Sequence, residues 1–304
     1  MAFDLTGLVP YRDEELMALI RASILEGRTA SIITVQPGIK STAAINILSG
    51  PIDPQDGTAC GFNAQGDTVL SQRDISVDPI KVQESYCPND LEQYYTQKMM
   101  NAGSYNEDIP FEALFAEEKV ARMQSLIENL IWQGDKAGAA PLNLADGLLK
   151  VIDAEAAVVD AGILDLTAAG IIDSMDVMVG LIPEDVLGGD DIKMFVGYEV
   201  FRTYAKALRN ANLYHYPSTS DGAQDFRMFI PGTEVEMIAV KGLNGTGRVI
   251  LAEASNLYYG TDLMSDYEDF KLWYSMDNQE VRFHARFKVG TNVAFPERIV
   301  KNSL

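Results

Sequence analysis

The chain has 304 residues, 44 acidic against 24 basic, a formal net charge of −20 and 47% hydrophobic residues. That length allows one large domain or two smaller ones, and that hydrophobic content supports a sizeable core. So acidic a surface repels phosphate, which excludes general nucleic-acid binding and leaves only a local basic patch to touch DNA.

The first 27 residues lack the basic region, apolar run and cleavage site of a secretory signal, and no apolar stretch is long enough to span a bilayer. The expectation is a soluble protein made in a cytoplasm, with no membrane partner. Residues 12–26 predict a helix with Asp13, Glu14 and Glu15 in its first turn and Gly27 after its last. Residues 30–57 hold short apolar runs broken by Pro37-Gly38, Pro51 and Pro54, which predicts extended chain unable to bury itself alone.

Residues 58–86 predict a long hairpin turning at "NAQGD", residues 63–67. Both of its faces are polar, so it needs a partner. That turn would set Cys60 opposite residue 70, so Cys60 and Cys87 are expected to be free thiols, a disulfide being the alternative. With no CxxC spacing and only His215 and His284, zinc is not expected. Asn89, with Glu92 placed for a capping box, opens a short helix.

Residues 110–133 predict the clearest helix, from Pro110 to Gly134, about 36 Å long. Met123, Leu126, Ile127 and Leu130 form its apolar stripe. Further helices are expected from Asn143 as cap, from Thr167, and over 198–212. Strands are expected at 191–197, 225–230, 233–240 and 248–254, with "NGTG", residues 244–247, as a hairpin turn. Strands and helices interleave, so the class is α+β, a mixed α/β chain.

Residues 270–295 predict a hairpin around "MDNQ". Its second strand, "VRFHARFKVG", alternates Val281, Phe283, Ala285, Phe287 and Val289 with Arg282, His284, Arg286 and Lys288. One face is apolar and the other is basic. Phe283 and Phe287 are expected to join the stripe of the long helix in the core.

No motif carries chemistry. "GLNGTGRV" is no phosphate loop, no GxSxG elbow occurs, and acid pairs such as Asp190-Asp191 and Glu117-Glu118 are ordinary turn and helix-face residues. "NLYYGTDL", residues 256–263, reads as a packed loop or as an aromatic ligand platform. No enzyme class, cofactor or metal is favoured.

Several segments in order resemble the major capsid proteins of tailed bacteriophages, those with the Hong Kong 97 fold. They are "VQPGIKSTAAIN", "FEALFAEEK", "LIWQGD", "NLADGLLKVID", "PEDVL", "ALRNANLYHY", "ILAEASNLYYGTDL" and "VRFHARFKVGTNVAFPERIV". The resemblance implies an N-terminal arm (1–55), an extended hairpin loop (56–88), a peripheral domain with a long spine helix (89–142 and 263–304) and an axial domain (143–262). It implies a structural protein, not an enzyme, that self-assembles into hexamers and pentamers of an icosahedral head enclosing double-stranded DNA. Implied partners are further copies of the chain, a portal, scaffold or decoration proteins, and DNA through the inner face only. The implied place is the virion, assembled in the host cytoplasm.

The chain departs from some members in having only one short helix ahead of the arm, and no lysine and partner for a covalent cross-link can be picked out. The resemblance also implies that Arg282, His284, Arg286 and Lys288 face a neighbour's hairpin, with Asp67, Asp74, Asp78 and Glu84 as their acidic counterparts and Asp53 and Asp56 on the arm. A nanocompartment shell, a tail-associated structural protein, or a soluble enzyme acting on a sugar or nucleotide through a pocket near 214–219 and 256–262 stand as alternatives.

Overall fold

The computed structural model describes residues 27–50, 53–54, 68–86, 111–189, 191–211, 226–262, 271–278 and 280–303. The expected helices at 12–26 and after Asn89 lie outside them, as do Cys60, Cys87, Asp67, His215 and the "NAQGD" turn.

The runs IKMFV, EMIA and VILAE have no polar alternation, so their strands need cover on both faces. They form the middle of a six-stranded sheet, in the order β5 (Val159–Ile163), β13 (Val300–Ser303), β9 (Val249–Glu253), β6 (Ile192–Val196), β8 (Glu236–Ala239) and β7 (Arg227–Phe229). Phe195, Ile238 and Ile250 turn to one face, where they share a core with helix α1 (Phe111–Gln133) and α2 (Leu148–Ala154). Met194, Val196, Met237, Val249 and Leu251 turn to the other, against α3 (Ile171–Gly180) and α5 (Tyr198–Asn210). The short α4 (Glu184–Leu187) adds Val186 to that second core.

A second sheet is organised by the 14-residue β12 (Glu280–Val293). Its first half pairs with β11 (Lys271–Ser275) on one side and β4 (Asp78–Tyr86) on the other; its last residues pair with β10 (Leu257–Thr261), which pairs in turn with β1 (Thr34–Pro37). Phe283, Ala285, Phe287 and Val289 are buried in the same core as Met123, Ile127 and Leu130 of α1, and Leu126 is partly buried at its border. The Trp132 and Phe195 rings, 5.2 Å apart and tilted by 49°, join the two sheets through the end of α1.

β2 (Thr42–Ser49) and β3 (Val69–Ser76) form a separate two-stranded ribbon, with Thr42 opposite Ser76 and Leu48 opposite Leu70. Leu70 thus pairs with Leu48 rather than with residue 60. The first hairpin strand is drawn from the segment expected to be arm, and β4, expected to be in the hairpin, belongs to the β12 sheet instead. Ile45, Ile47 and Ile75 pack down on Ile39, Val77 and Ala294.

A pair of glycines makes that seat possible. Gly260 and Gly290 face each other across β10 and β12, where the ribbon crosses. A Cβ at Gly290 would lie 2.1 Å from the Ser76 carbonyl oxygen, and one at Gly260 would lie 2.8 Å from the Ile39 Cδ1. Gly290→Ala is therefore expected to cost about 1–3 kcal/mol as an overpacking change, measured by urea denaturation, because it must push backbone away.

Other expectations shift for local reasons. The helix expected to start at Asn143 starts at Leu148, because the Gly147 amide donates to the Gly134 carbonyl (2.8 Å) and the preceding residues form turns. The helix expected from Thr167 starts at Ile171, after a turn in which the Asp165 carboxylate accepts the Thr167 amide (3.0 Å). "NGTG" turns the chain but closes no hairpin, since β8 and β9 lie on opposite sides of β6. "NLYYGTDL" is largely strand β10. The closing residues 300–303, grouped by the sequence with 263–304, pair with β9 and β5 of the six-stranded sheet.

Candidate assembly interface

Register fixes which residues share a face. On β12, Arg282 lies opposite Ser85 and Trp273, His284 opposite Gln83, Arg286 opposite Lys81, and Lys288 opposite Pro79. All four bases turn away from the spine helix, and Lys81 widens the band beside Arg286. Gln83, Ser85, Trp273, Arg282 and His284 edge a cleft of about 330 Å³. Arg286 and Lys81 are exposed, while Arg282 and His284 are half-buried; Arg282 is 3.9 Å from the Glu280 carboxylate of its own strand.

Lys288 is differently placed. Its ammonium donates to the Asp262 carboxylate (2.6 Å) and to the Lys40 carbonyl (3.0 Å), and the Asp262 side chain is fully buried. It ties the base of the hairpin to the end of β10 within one chain. Nothing local in the sequence signals this pair, whose members are 26 residues apart.

The acids also separate. Glu84 pairs in register with Phe283, so it faces the spine helix, where it meets Lys119. Asp78 shares that face and pairs with Lys136 at 2.8 Å. The parity of Asp78, Ile80, Val82 and Glu84 carried this signal, since Ile80 is buried. Asp74 is exposed on β3, where its carbonyl accepts the Asn292 side-chain amide (2.7 Å), and Asp53 is exposed as well. Of the expected acidic set, Asp74 and Asp53 are thus the ones the described structure leaves outward.

The ribbon supplies the apolar part of the surface. Arg73 pairs with Glu155 at the end of α2, and Asn46 and Gln72 bond across the strands at 2.8 Å. Beyond them the ribbon leaves its support: Leu48 is 67% exposed, Val69 59% and Leu70 76%, against 0% for Ile75 near the base. Three large apolar side chains therefore stand in water at one end of a two-stranded ribbon. Among the described residues, no group of three or more His, Cys, Asp or Glu could hold a metal ion, and no helix is long and apolar enough to cross a membrane.

No family model and no curated protein matches this chain. Solved structures match along almost its whole length. A chain from the satellite phage P4 procapsid including size determination (Sid) protein is 13% identical, with a TM-score of 0.62 over 95% of this chain and 98% of that one. A chain from the capsid of Myoviridae phage XM1 is 14% identical, with a TM-score of 0.53 over 92% and 90%. A chain from the virus-like particle of Pyrococcus furiosus is 11% identical, with a TM-score of 0.53 over 95% and 98%. At these identities the likeness is one of fold: the chain has the α+β capsid fold of tailed bacteriophages.

Proposed function

We propose that the chain is a major capsid protein, a structural subunit that assembles with copies of itself into hexamers and pentamers of an icosahedral phage head around double-stranded DNA. The observation that carries this reading is the overhanging β2–β3 ribbon, whose apolar end is exposed among the described residues, on a body that follows the capsid fold over 95% of its length. In this reading the N-terminal arm, hairpin, peripheral and axial regions take the roles the sequence implies, with boundaries moved so that β2 belongs to the hairpin and β4 to the peripheral sheet. Assembly takes place in the host cytoplasm. A portal, scaffold or decoration proteins and the DNA inside are partners of the shell, and no catalytic residue is assigned.

The basic band on β12 then meets an acidic neighbour, with Asp74 and Asp53 as the acids that face outward. Each exposed pair contributes only about 0.2–1 kcal/mol, but the contact repeats at every subunit. Arg282→Glu with Arg286→Glu is expected to leave the subunit folded and to impair assembly, more so at low salt where charge is least screened. Shell yield by sedimentation at two salt concentrations checks this, and unchanged yield in both would leave a merely solvated face.

The likeness to the Pyrococcus furiosus virus-like particle favours one second reading, a closed shell that holds no phage genome. Sedimentation with nucleic-acid quantification after nuclease treatment tests both. Fast-sedimenting particles with protected double-stranded DNA support the phage head, particles without it support the second reading, and a folded monomer speaks against both.

A further inference from the structure

The part of the chain that builds the six-stranded sheet carries its charge unevenly. From residue 151 to residue 192 it holds acids and not one Lys or Arg. Some of those acids are used within the chain: Asp153 pairs with Arg248 and Lys301, and Glu155 with Arg73. Asp173 and Asp176 are not. Both are exposed on α3, and among the described residues neither meets a base. Helix α5 is the reverse case. Arg202, Lys206 and Arg209 stand at i, i+4 and i+7, so they share one exposed face, opposite the buried Val200, Tyr204 and Ala207. Arg202 and Arg209 donate to carbonyls of their own helix, those of Tyr198 and Ala205 (both 3.3 Å), and among the described residues none of the three bases meets a carboxylate.

The two faces belong to opposite sides of one layer. α3 lies against β13, next to the edge strand β5, and α5 lies against β8, next to the edge strand β7. The helices also touch each other, so each buries its inner side and leans its charged side toward its own edge of the sheet. Among the described residues β5 and β7 have no partner on their outer sides. Each carries a large apolar side chain in water there: Ile163 is 81% exposed and Phe229 is 61% exposed. A strand edge of this kind is open to pairing with another chain.

We propose that the α3–β5 edge of one copy docks on the α5–β7 edge of the next, head to tail, with Asp173 and Asp176 set against Arg202, Lys206 and Arg209. Two like edges repel, so the charges allow edge-to-edge contact in one sense only. Copies joined through two different patches close into rings, whereas a self-complementary patch stops at a pair. DNA is the rival occupant for the α5 bases. The acids on the opposite edge of the same layer, also spaced about one turn apart on their helix, favour a second copy instead. The inference rests on the shell reading and names a contact within its rings.

The test compares four forms of the full chain by sedimentation velocity at low and high salt, with circular dichroism as the check on folding. They are the wild type, Arg202→Glu with Lys206→Glu, Asp173→Lys with Asp176→Lys, and the chain carrying all four changes. Each pair alone brings both edges toward one sign and is expected to lower the assembled fraction by about tenfold or more at low salt, where charge is least screened. The fourfold change exchanges the signs of the two edges and is expected to restore assembly to within about twofold of wild type. Pair variants that assemble as the wild type does overturn this contact and leave the shell reading standing. A loss in the α5 variant that the α3 reversal does not rescue also overturns it, and less protected nucleic acid in that variant's particles then assigns the α5 bases to DNA. A folded wild-type monomer at every concentration overturns the shell reading and this contact together. If a reversal does not fold, Arg202→Gln with Lys206→Gln decides: a lower assembled fraction with a weaker salt dependence supports the contact, and unchanged values overturn it.

Discussion

Lys288→Met is expected to destabilise the isolated subunit by about 3–5 kcal/mol, the largest loss from any single charged position described here. The Asp262 side chain has no solvent exposure, and the Lys288 ammonium sits 2.6 Å from it with only 18% of its own side chain exposed. Removing the lysine removes the shorter ion pair to that carboxylate and keeps the longer one to Lys40, at 3.7 Å on a side chain that is 66% exposed. It also removes the bond to the Lys40 carbonyl at the base of the hairpin. A buried pair broken on one side is worse than a pair replaced altogether. Lys288→Met with Asp262→Leu is therefore expected to recover much of the loss. Urea denaturation of both variants checks this, and a single-variant loss below about 0.5 kcal/mol would return Lys288 to the solvent-facing role that its strand alternation implies.

That contrast shows where the sequence is legible. Alternation over 281–290 placed Phe283 and Phe287 with Met123, Ile127 and Leu130 in one core, because periods of two and of three to four residues report a single buried face directly. The same alternation placed Lys288 with Arg282 and Arg286, and register bears that out; what it does not carry is the buried acid waiting there from another strand. β5 and β13 were equally invisible. VDAGI and VKNS are short and half polar; among the described residues they pair with each other, and VKNS with β9, across long stretches of chain. β2 was hidden among prolines because its partner lies beyond the turn signal taken for the hairpin tip.

The second large effect is on assembly. Leu48→Lys with Leu70→Glu is expected to leave the subunit folded, within about 0.5 kcal/mol of wild type, and to abolish shell formation. The two side chains lie opposite each other on the outward face of the ribbon, so the substitutions place opposite charges across the strands and keep the ribbon paired. They remove apolar surface that is 67% and 76% exposed in the single chain and is thus mostly in contact with solvent. Burial of such side chains against a neighbour contributes roughly 1.5–3 kcal/mol each. Loss at every subunit of a closed shell multiplies. Light scattering on wild type and variant at equal concentration checks this, and shells of equal yield and thermal stability would show that the apolar end lies free in the particle.

The central claim is that this chain builds a closed shell whose subunits are joined through the overhanging β2–β3 ribbon. Cryo-electron microscopy of the purified, full-length protein tests it most directly. The account predicts closed particles in which the subunit fits into rings of five and six, with Leu48, Val69 and Leu70 covered by the next subunit. A folded monomer at every concentration and salt condition imaged, or a shell in which those three side chains remain in solvent, would contradict it.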